Sequence, residues 1–484
     1  MPQHGLATAL VLALATFAPM AAQARTQDPA LLDLSLDELL KVNVSAASFT
    51  TTSLRDAAAS VTVFERRELE RMGFRHLHEV LNYVPGAYTS RIATTGLENR
   101  TVLRGNPGTA GGGLLAIDGQ RVNTMQSVRA WGVVRNFPLS LVERVEIIRG
   151  PGGARFGGGP SDEVVNVVTR RGHAAAAAVS AEGGHAAQAM VGAERDGWRL
   201  DVRAADTRDR SPDYEGVFDR FGRVSRSAED GRTRTAILDV GRGRNGSINR
   251  GDESLLKATW WRYGGSVDIG DWRVDGFASA FRQRYALSAV LAPGPAAPFS
   301  AGDFRQRGLL THRNTAYGLT AQRTVGAHTL TFGGETMEGE ATQANLQSNY
   351  TLGPVFVPLG GFRDTGLRFV APGAHDRMTA VFVEDDWRIT DEHRVVLGAR
   401  YDRYAQSGSA TSPRVAWVWT PGDRASYKLM VQDAFFAPTL GQLFLQNNPV
   451  IAGAPDLRPT KVRTTEFMAR YQFERVLLTG VVYH

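Results

Sequence analysis

Residues 394–402 read RVVLGARYD, an alternation of two kinds of side chain. Val395, Leu397, Ala399 and Tyr401 fall on one side of an extended chain, and Val396, Gly398, Arg400 and Asp402 on the other. WRLDVRA (198–204) repeats it, with Trp198, Leu200, Val202 and Ala204 against Arg199, Asp201 and Arg203. A soluble sandwich alternates in the same way, so the connections decide the fold. Short turns lie at 195–197, 269–271, 324–327, 390–393, 421–424 and around Phe473 to Arg475. The intervening junctions are long, at roughly 207–253, 286–307, 342–375 and 436–460, besides shorter ones near 184 and 407–411. Short turns at one end and long loops at the other are the signature of an outer-membrane β-barrel with its long loops outside the cell. Many strands exceed the roughly nine residues a bilayer requires.

Trp198, Trp260, Trp261, Trp272, Trp387, Trp417 and Trp419 recur near strand ends, where interfacial girdles place them. The count comes to about twelve full strands and a partial thirteenth, VLLTGVVYH. A single-chain bacterial barrel closes with an even number, so the expectation is a barrel cut short at its carboxyl end.

Composition narrows the alternatives. The 484 residues hold no cysteine, which excludes a disulfide framework, a thiolate zinc site and a cysteine nucleophile. A formal net charge of +6, interspersed along the chain, is a poor basis for nucleic-acid binding. Mean hydropathy of −0.22 excludes a multi-helix membrane protein. The one long apolar run, Leu6 to Met20, precedes Ala22-Gln23-Ala24, so residues 1–24 read as a secretory signal peptide.

Ahead of the barrel lies a small α+β unit. FERRELERMG and RHLHEVLNYVPG read as short helices, the second with Leu77, Val80, Leu81 and Val84 on one face. His76 and His78, two apart, do not share that face, so no metal pair is expected. Strand patterns follow at TVLRGN, at LLAIDGQRV with an Asp-Gly turn, at VERVEIIRG and at VVNVVTRR, ending near Gly172. The glycine knot between the last two, Gly150 to Gly159, lacks both the Gly-Lys-Ser/Thr ending and the GxGxxG spacing of phosphate loops. It reads instead as a tight β-connection and structural hinge.

The ordered set VPGAY (84–88), LRGN (103–106), LLAIDGQRVN (114–123), LVERVEIIRGPGGARFGG (141–158) and VVNVVTRRG (164–172) resembles the plug of TonB-dependent outer-membrane receptors. FVEDDW (382–387), LGARYD (397–402), SPRVAWVWTP (412–421), YKLMVQDAFFAPTL (427–440) and LRPTKVRTTEF (457–467) resemble their barrel. The resemblance runs from about Leu34 to His484. It implies an amino-terminal α+β plug inside an antiparallel membrane β-barrel of twenty-two strands, of which about nine would be wanting here. The chain departs from the family at Phe436, where Arg is common, at Thr460, where Glu is usual, and at Asp162-Glu163, where small residues are expected.

Further expectations follow from the resemblance. Residues 25–49 form a periplasmic segment, too short before Val42 for an extra signalling domain; 50–172 form the plug and 173–484 the partial barrel. VNVSA, comprising Val42, Asn43, Val44, Ser45 and Ala46, looks like the TonB box that pairs as a strand with TonB, driven by ExbB and ExbD. Arg104, Gly105, Asp118, Gly119, Glu143, Arg144, Glu146, Arg149, Gly150, Pro151 and Gly157 carry the plug motifs. In that arrangement Val145 and Ile147 pack inward while Arg144, Glu146 and Arg149 meet polar groups of the lumen. Tyr88, Arg91, Asn99, Arg100, Arg129 and Trp131 lie in connections the family points outward, where aromatic and Arg groups suit an anionic ferric chelate.

The implied activity is active uptake of a ferric siderophore by a monomer set in outer-membrane lipid, with no cofactor, metal or nucleic acid. Cobalamin, haem, another metal chelate or an oligosaccharide stay open as ligands. A passive porin needs neither a TonB box nor a domain of the size of 50–172. An outer-membrane enzyme needs a nucleophile and base, yet His173, His312, His328, His375 and His393 sit in no recognisable triad or metal spacing.

Overall fold

The computed structural model describes residues 42–45, 47–74, 77–91, 99–104, 114–122, 125, 139, 142–150, 152–157, 163–170, 174–179, 185–195, 198–211, 214–228, 235–247, 255–292, 304–351, 357–368, 370–447, 452–474 and 476–484. Between 174 and 260 the backbone alone is described.

The amino-terminal unit comprises β1 (Asn43–Val44), β2 (Thr52–Ser53), β3 (Val61–Glu65), β4 (Ala87–Arg91), β5 (Asn99–Leu103), β6 (Leu114–Ile117), β7 (Gln120–Arg121), β8 (Val142–Arg149) and β9 (Glu163–Thr169). Its helices are α1 (Arg66–Arg71), α2 (Leu77–Leu81) and α3 (Gly153–Phe156). One sheet has the order β3-β8-β9-β6-β7, with β6 and β9 parallel and the other pairs antiparallel. Alternation in VERVEII sends Val145 and Ile147 to one face, with Leu115, Ile117, Val165 and Val167, under the helical residues Leu77, Val80 and Leu81. Ile148 goes to the other face, with Leu114, Ala116, Val164 and Phe156, against Val44 and Ala57. Both faces of this sheet are covered. The Asp-Gly turn forms as its residues require, with Asp118 at φ 48 and Gly119 at φ 77.

A sheet of sixteen strands follows: β10 (Ala174–Val179), β11 (His185–Arg195), β12 (Trp198–Ser211), β13 (Tyr214–Ala228), β14 (Thr235–Ser247), β15 (Leu255–Ile269), β16 (Trp272–Ala292), β17 (Phe304–Val325), β18 (His328–Tyr350), β19 (Pro358–Arg368), β20 (His375–Arg388), β21 (His393–Tyr404), β22 (Gly408–Trp419), β23 (Ala425–Phe436), β24 (Thr460–Gln472) and β25 (Leu477–Tyr483). Each pairs antiparallel with the next, except that β19 folds back on the upper part of β18, which then passes to β20. The order is an open path from β10 to β25. A helix α4 (Leu440–Phe444) sits in the β23–β24 connection.

The strand count corrects the sequence reading. The stretch 207–253, read as one long outer loop, contains β13 and β14, which continue the ladder on both sides. The junctions at 286–307 and 342–375 are in large part prolonged strands. β16, β17 and β18 run for 21, 22 and 23 residues, far past the membrane requirement of about ten.

The sheet is apolar outside and charged inside. Along β20, Val381 and Val383 are exposed while Glu384 and Asp386 are buried. β21 to β24 repeat this: Leu397, Tyr401, Val415, Leu429, Val431 and Phe467 face out, and Arg400, Asp402, Arg414, Lys428, Glu466 and Arg470 face in. Only a wall with lipid on one side and a polar lumen on the other stabilises that inversion. Aromatics border the apolar band: His328 stacks on Trp387, and His393 on Trp417 and Trp419, near the short turns. Trp261, Tyr263 and Tyr317 are exposed farther from the short turns than these stacks. The side chains of Trp198 and Trp260 lie outside the described residues.

Candidate functional site

The segment 42–53 is fastened between plug and wall. β1 pairs with β2, Asn43 opposite Ser53 and Val44 opposite Thr52, and the Leu54 N–H donates to the Val42 carbonyl at 2.8 Å. Two residue pairs make a weak ladder; side chains add to it. Val44 is fully buried, worth about 2 kcal/mol. The buried Glu146 carboxylate accepts from the Ser45 N–H and hydroxyl at 3.2 Å, from Asn166 Nδ2 at 3.1 Å and from Arg144 Nε at 2.9 Å. Arg155 donates to the Ser45 carbonyl and, at 2.8 Å, to that of Ser48. Burial pushes the Arg155 guanidinium below its usual range, and Glu146, Glu384 and Asp275 draw it part of the way back. Charge-assisted bonds of this kind contribute about 1.5–3 kcal/mol each, so the segment is latched.

The glycine knot is where the wall presses on the plug. A Cβ on Gly157 would lie 1.9 Å from Arg400 Nε, and one on Gly153 would lie 2.8 Å from Arg414 Nη1. Both residues have positive φ, 55° and 61°. Glycine is needed for close approach as well as for backbone conformation, and α3, which the strand reading missed, packs against the wall. Arg414 also donates to the carbonyls of Ala47, at 2.7 Å, and Ala58; Arg394 donates to that of Asp56 at 2.9 Å, and Lys428 Nζ to that of Leu54 at 3.1 Å. Glu384 accepts from the Phe49 N–H at 3.0 Å. The knot is therefore a docking face as well as a tight connection between β8 and β9.

Arg104 reaches Glu466 at 2.6 Å and lies over the Tyr483 ring at 4.3 Å. Burial and nearby Arg104 hold Arg149 below its usual range, against the pull of Glu466. Asp118 accepts from the Thr169 N–H at 2.9 Å and from its hydroxyl, and Gly119 N–H donates to Asn166 at 2.8 Å. Glu143 is half-buried on β8, and Gly150 adopts φ 126°. Glu146, expected against lumen groups, binds Ser45 and Arg144 instead, because its face of β8 looks toward β1. Gly105, Pro151, Ala46, Arg129 and Trp131 lie outside the described residues. Tyr88, Arg91, Asn99 and Arg100 belong to the β4–β5 hairpin, with Arg91 opposite Asn99, and their side chains are not described.

Sequence reasoning missed Arg155, Asn166 and Phe49, and on the wall Glu384, Arg400, Arg414 and Lys428. The four wall residues were legible as the inward parity of β20 to β23; their plug partners were not. Among the described residues, no group of three or more His, Asp or Glu is placed to hold a metal ion.

Comparison with known proteins now bears on this arrangement. The family profile described as "TonB dependent receptor-like, beta-barrel" matches residues 197–484, and the "TonB-dependent Receptor Plug Domain" matches 53–161. The iron-regulated outer membrane virulence protein of Vibrio cholerae is 25% identical over 475 residues, covering 88% of this chain and 65% of the relative. The vitamin B12 transporter BtuB of Vibrio vulnificus is 36% identical over 118 residues, 24% of this chain and 18% of the transporter. A variant of the ferric enterobactin receptor of Pseudomonas aeruginosa shares the fold, with a TM-score of 0.64 at 18% identity over 88% of this chain and 71% of the receptor. The chain thus spans about 65% of the length of the iron-regulated relative.

Proposed function

The chain belongs to the TonB-dependent receptors of the outer membrane, and we propose that it imports a ferric siderophore with energy delivered through TonB, ExbB and ExbD. The observation that carries this reading is the latch. Residues 42–45 form a short extended segment at the short-turn end, fastened by groups that a competing strand partner can replace. Backbone pairing supplies the affinity in such β-augmentation, so a TonB strand added at Val42 to Ala46 would pull on the connection to the plug.

The similarity to an iron-regulated outer membrane protein supports iron as the cargo. In this reading Tyr88, Arg91, Asn99, Arg100, Arg129 and Trp131 meet the ligand at the outer mouth, residues 1–24 direct export, and 50–172 act as the plug. The receptor acts as a monomer and as a transporter rather than an enzyme. A cobalamin is the second reading, favoured by the 36% identity to a B12 transporter over 118 residues.

Replacing Val44 with Pro tests the proposal, since Pro removes a backbone donor and cannot join a ladder. Uptake of radioactive iron by iron-starved source cells should fall to the level of cells lacking TonB, with surface binding intact. Undiminished uptake would reject the TonB-box assignment.

A further inference from the structure

The lipid-facing side of the wall carries charge at one level. On four strands an outward arginine stands ten residues from a residue of the short-turn girdle: Arg282 from Trp272 on β16, Arg313 from Arg323 on β17, Arg377 from Trp387 on β20 and Arg403 from His393 on β21. Arg323 belongs to that girdle because its guanidinium lies over the Trp272 ring, 5.6 Å from the centroid. All four arginines at the far end of these intervals are exposed. Ten residues at about 3.4 Å each, on strands tilted by about 40°, climb about 25 Å, which is the height of the apolar band of an outer-membrane barrel. The arginines therefore stand level with the headgroups of the outer leaflet.

They are not equivalent. Arg377 is paired with the exposed Glu338 at 3.2 Å. Arg282 and Arg313, by contrast, lie directly opposite each other in the β16–β17 ladder. Side chains so placed start from Cβ atoms about 4.5–5.5 Å apart, and like charges there repel. Arg284, the next outward position on β16, adds a third exposed cation. Among the described residues none of the three makes an ion pair, although Glu340 stands opposite Arg313 on β18. Below them on β17, toward the short turns, the outward positions Tyr317 and Leu319 are exposed and apolar.

We propose that Arg282, Arg284 and Arg313 form a binding site for a phosphate group of lipopolysaccharide, the phosphorylated glycolipid of the outer leaflet. Guanidinium forks match phosphate oxygens bidentately, so one phosphate between Arg282 and Arg313 turns a repulsive pair into an attractive triad. Basic groups at a membrane surface gather anionic lipid in this way. The apolar strip of Tyr317 and Leu319 takes the acyl chains of the same molecule, a surface for which a free inorganic anion has no use. The site faces away from the lumen, so it is independent of which cargo the receptor imports.

The test uses the full chain extracted folded from the outer membranes of its source cells and freed of lipid by detergent exchange. It is titrated with lipid A, with the same lipid A stripped of its phosphates and with inorganic phosphate, and complexes are counted by native mass spectrometry. Lipid A should bind about tenfold or more tightly than its phosphate-free form, as the loss of charge-assisted bonds predicts. Inorganic phosphate at equal concentration should not displace it. The double variant Arg282→Gln with Arg313→Gln, checked for unheated gel mobility like the parent's, should lose that preference. Arg388→Gln with Arg424→Gln, which removes the same charge at the short-turn end, should keep it. Added lipid A should also raise the temperature at which the parent's fast-migrating band disappears, and leave that of the Arg282→Gln, Arg313→Gln variant unmoved. Equal binding of the two lipids by the parent would overturn the site without recourse to any variant. Undiminished preference in the Arg282→Gln, Arg313→Gln variant, or an equal loss in the short-turn variant, would overturn it as well. Displacement by inorganic phosphate at equal concentration would overturn the lipid as its occupant.

Discussion

Glu146 decides whether the amino-terminal segment is held. Its carboxylate gathers donors from Ser45, Asn166 and Arg144 in a site closed to solvent. Removing one partner of such a buried cluster costs about 3–5 kcal/mol, more than a two-residue ladder supplies. Glu146→Ala should therefore free the strand. A nitroxide on Asn43→Cys, immobilised in the parent, should become mobile, with Glu146→Gln intermediate because it keeps one acceptor. An immobilised spectrum in Glu146→Ala would mean that Val44 and Arg155 suffice. At this scale the sequence was half legible. LVERVEIIRG marked Glu146 as important, but its partner lies 101 positions away, and nothing local encodes that contact. The spacing of the glycines, likewise, makes sense only beneath Arg400 and Arg414.

Elements were more legible where alternation was clean. β20 to β24 each carry an apolar parity and a charged parity, so their faces follow from the residues alone. Val383 points to lipid, so Val383→Lys should cost about 2–4 kcal/mol near the bilayer midplane, and Thr379→Lys, nearer the outer rim, about 0–1. The check is the urea midpoint for loss of the fast-migrating unheated band in lipid vesicles; equal midpoints would contradict the assigned depth. β13 and β14 were missed for a physical reason. YEGVFDRFGRVSRSA and TAILDVGRGRNGS scatter charges and glycines over both parities, and the barrel-strand signal is weak per segment. Their place is fixed by ladder pairing with β12 and β15, which a single-sequence pattern does not register.

At the scale of the molecule, a charged lumen grips a small α+β plug, and the segment at 42–45 that leads into the plug is tied down. A barrel without that tie would need no extended segment at residues 42–45, and a tied plug with nothing to pull it would stay shut. The class of fold was legible because turns, parity and ordered motifs agreed; the grip was not, since it depends on which strands end up facing which plug loops. Coupling through residues 42–46 is the central claim, and disulfide trapping tests it most directly. Asn43→Cys, exposed in an otherwise cysteine-free chain, would be paired in iron-starved source cells with single cysteines placed along TonB's strand-forming region. The account predicts a crosslinked receptor–TonB species whose yield depends on register and which disappears in Val44→Pro. Crosslinks that form equally from any exposed plug position, or that survive Val44→Pro, would contradict it.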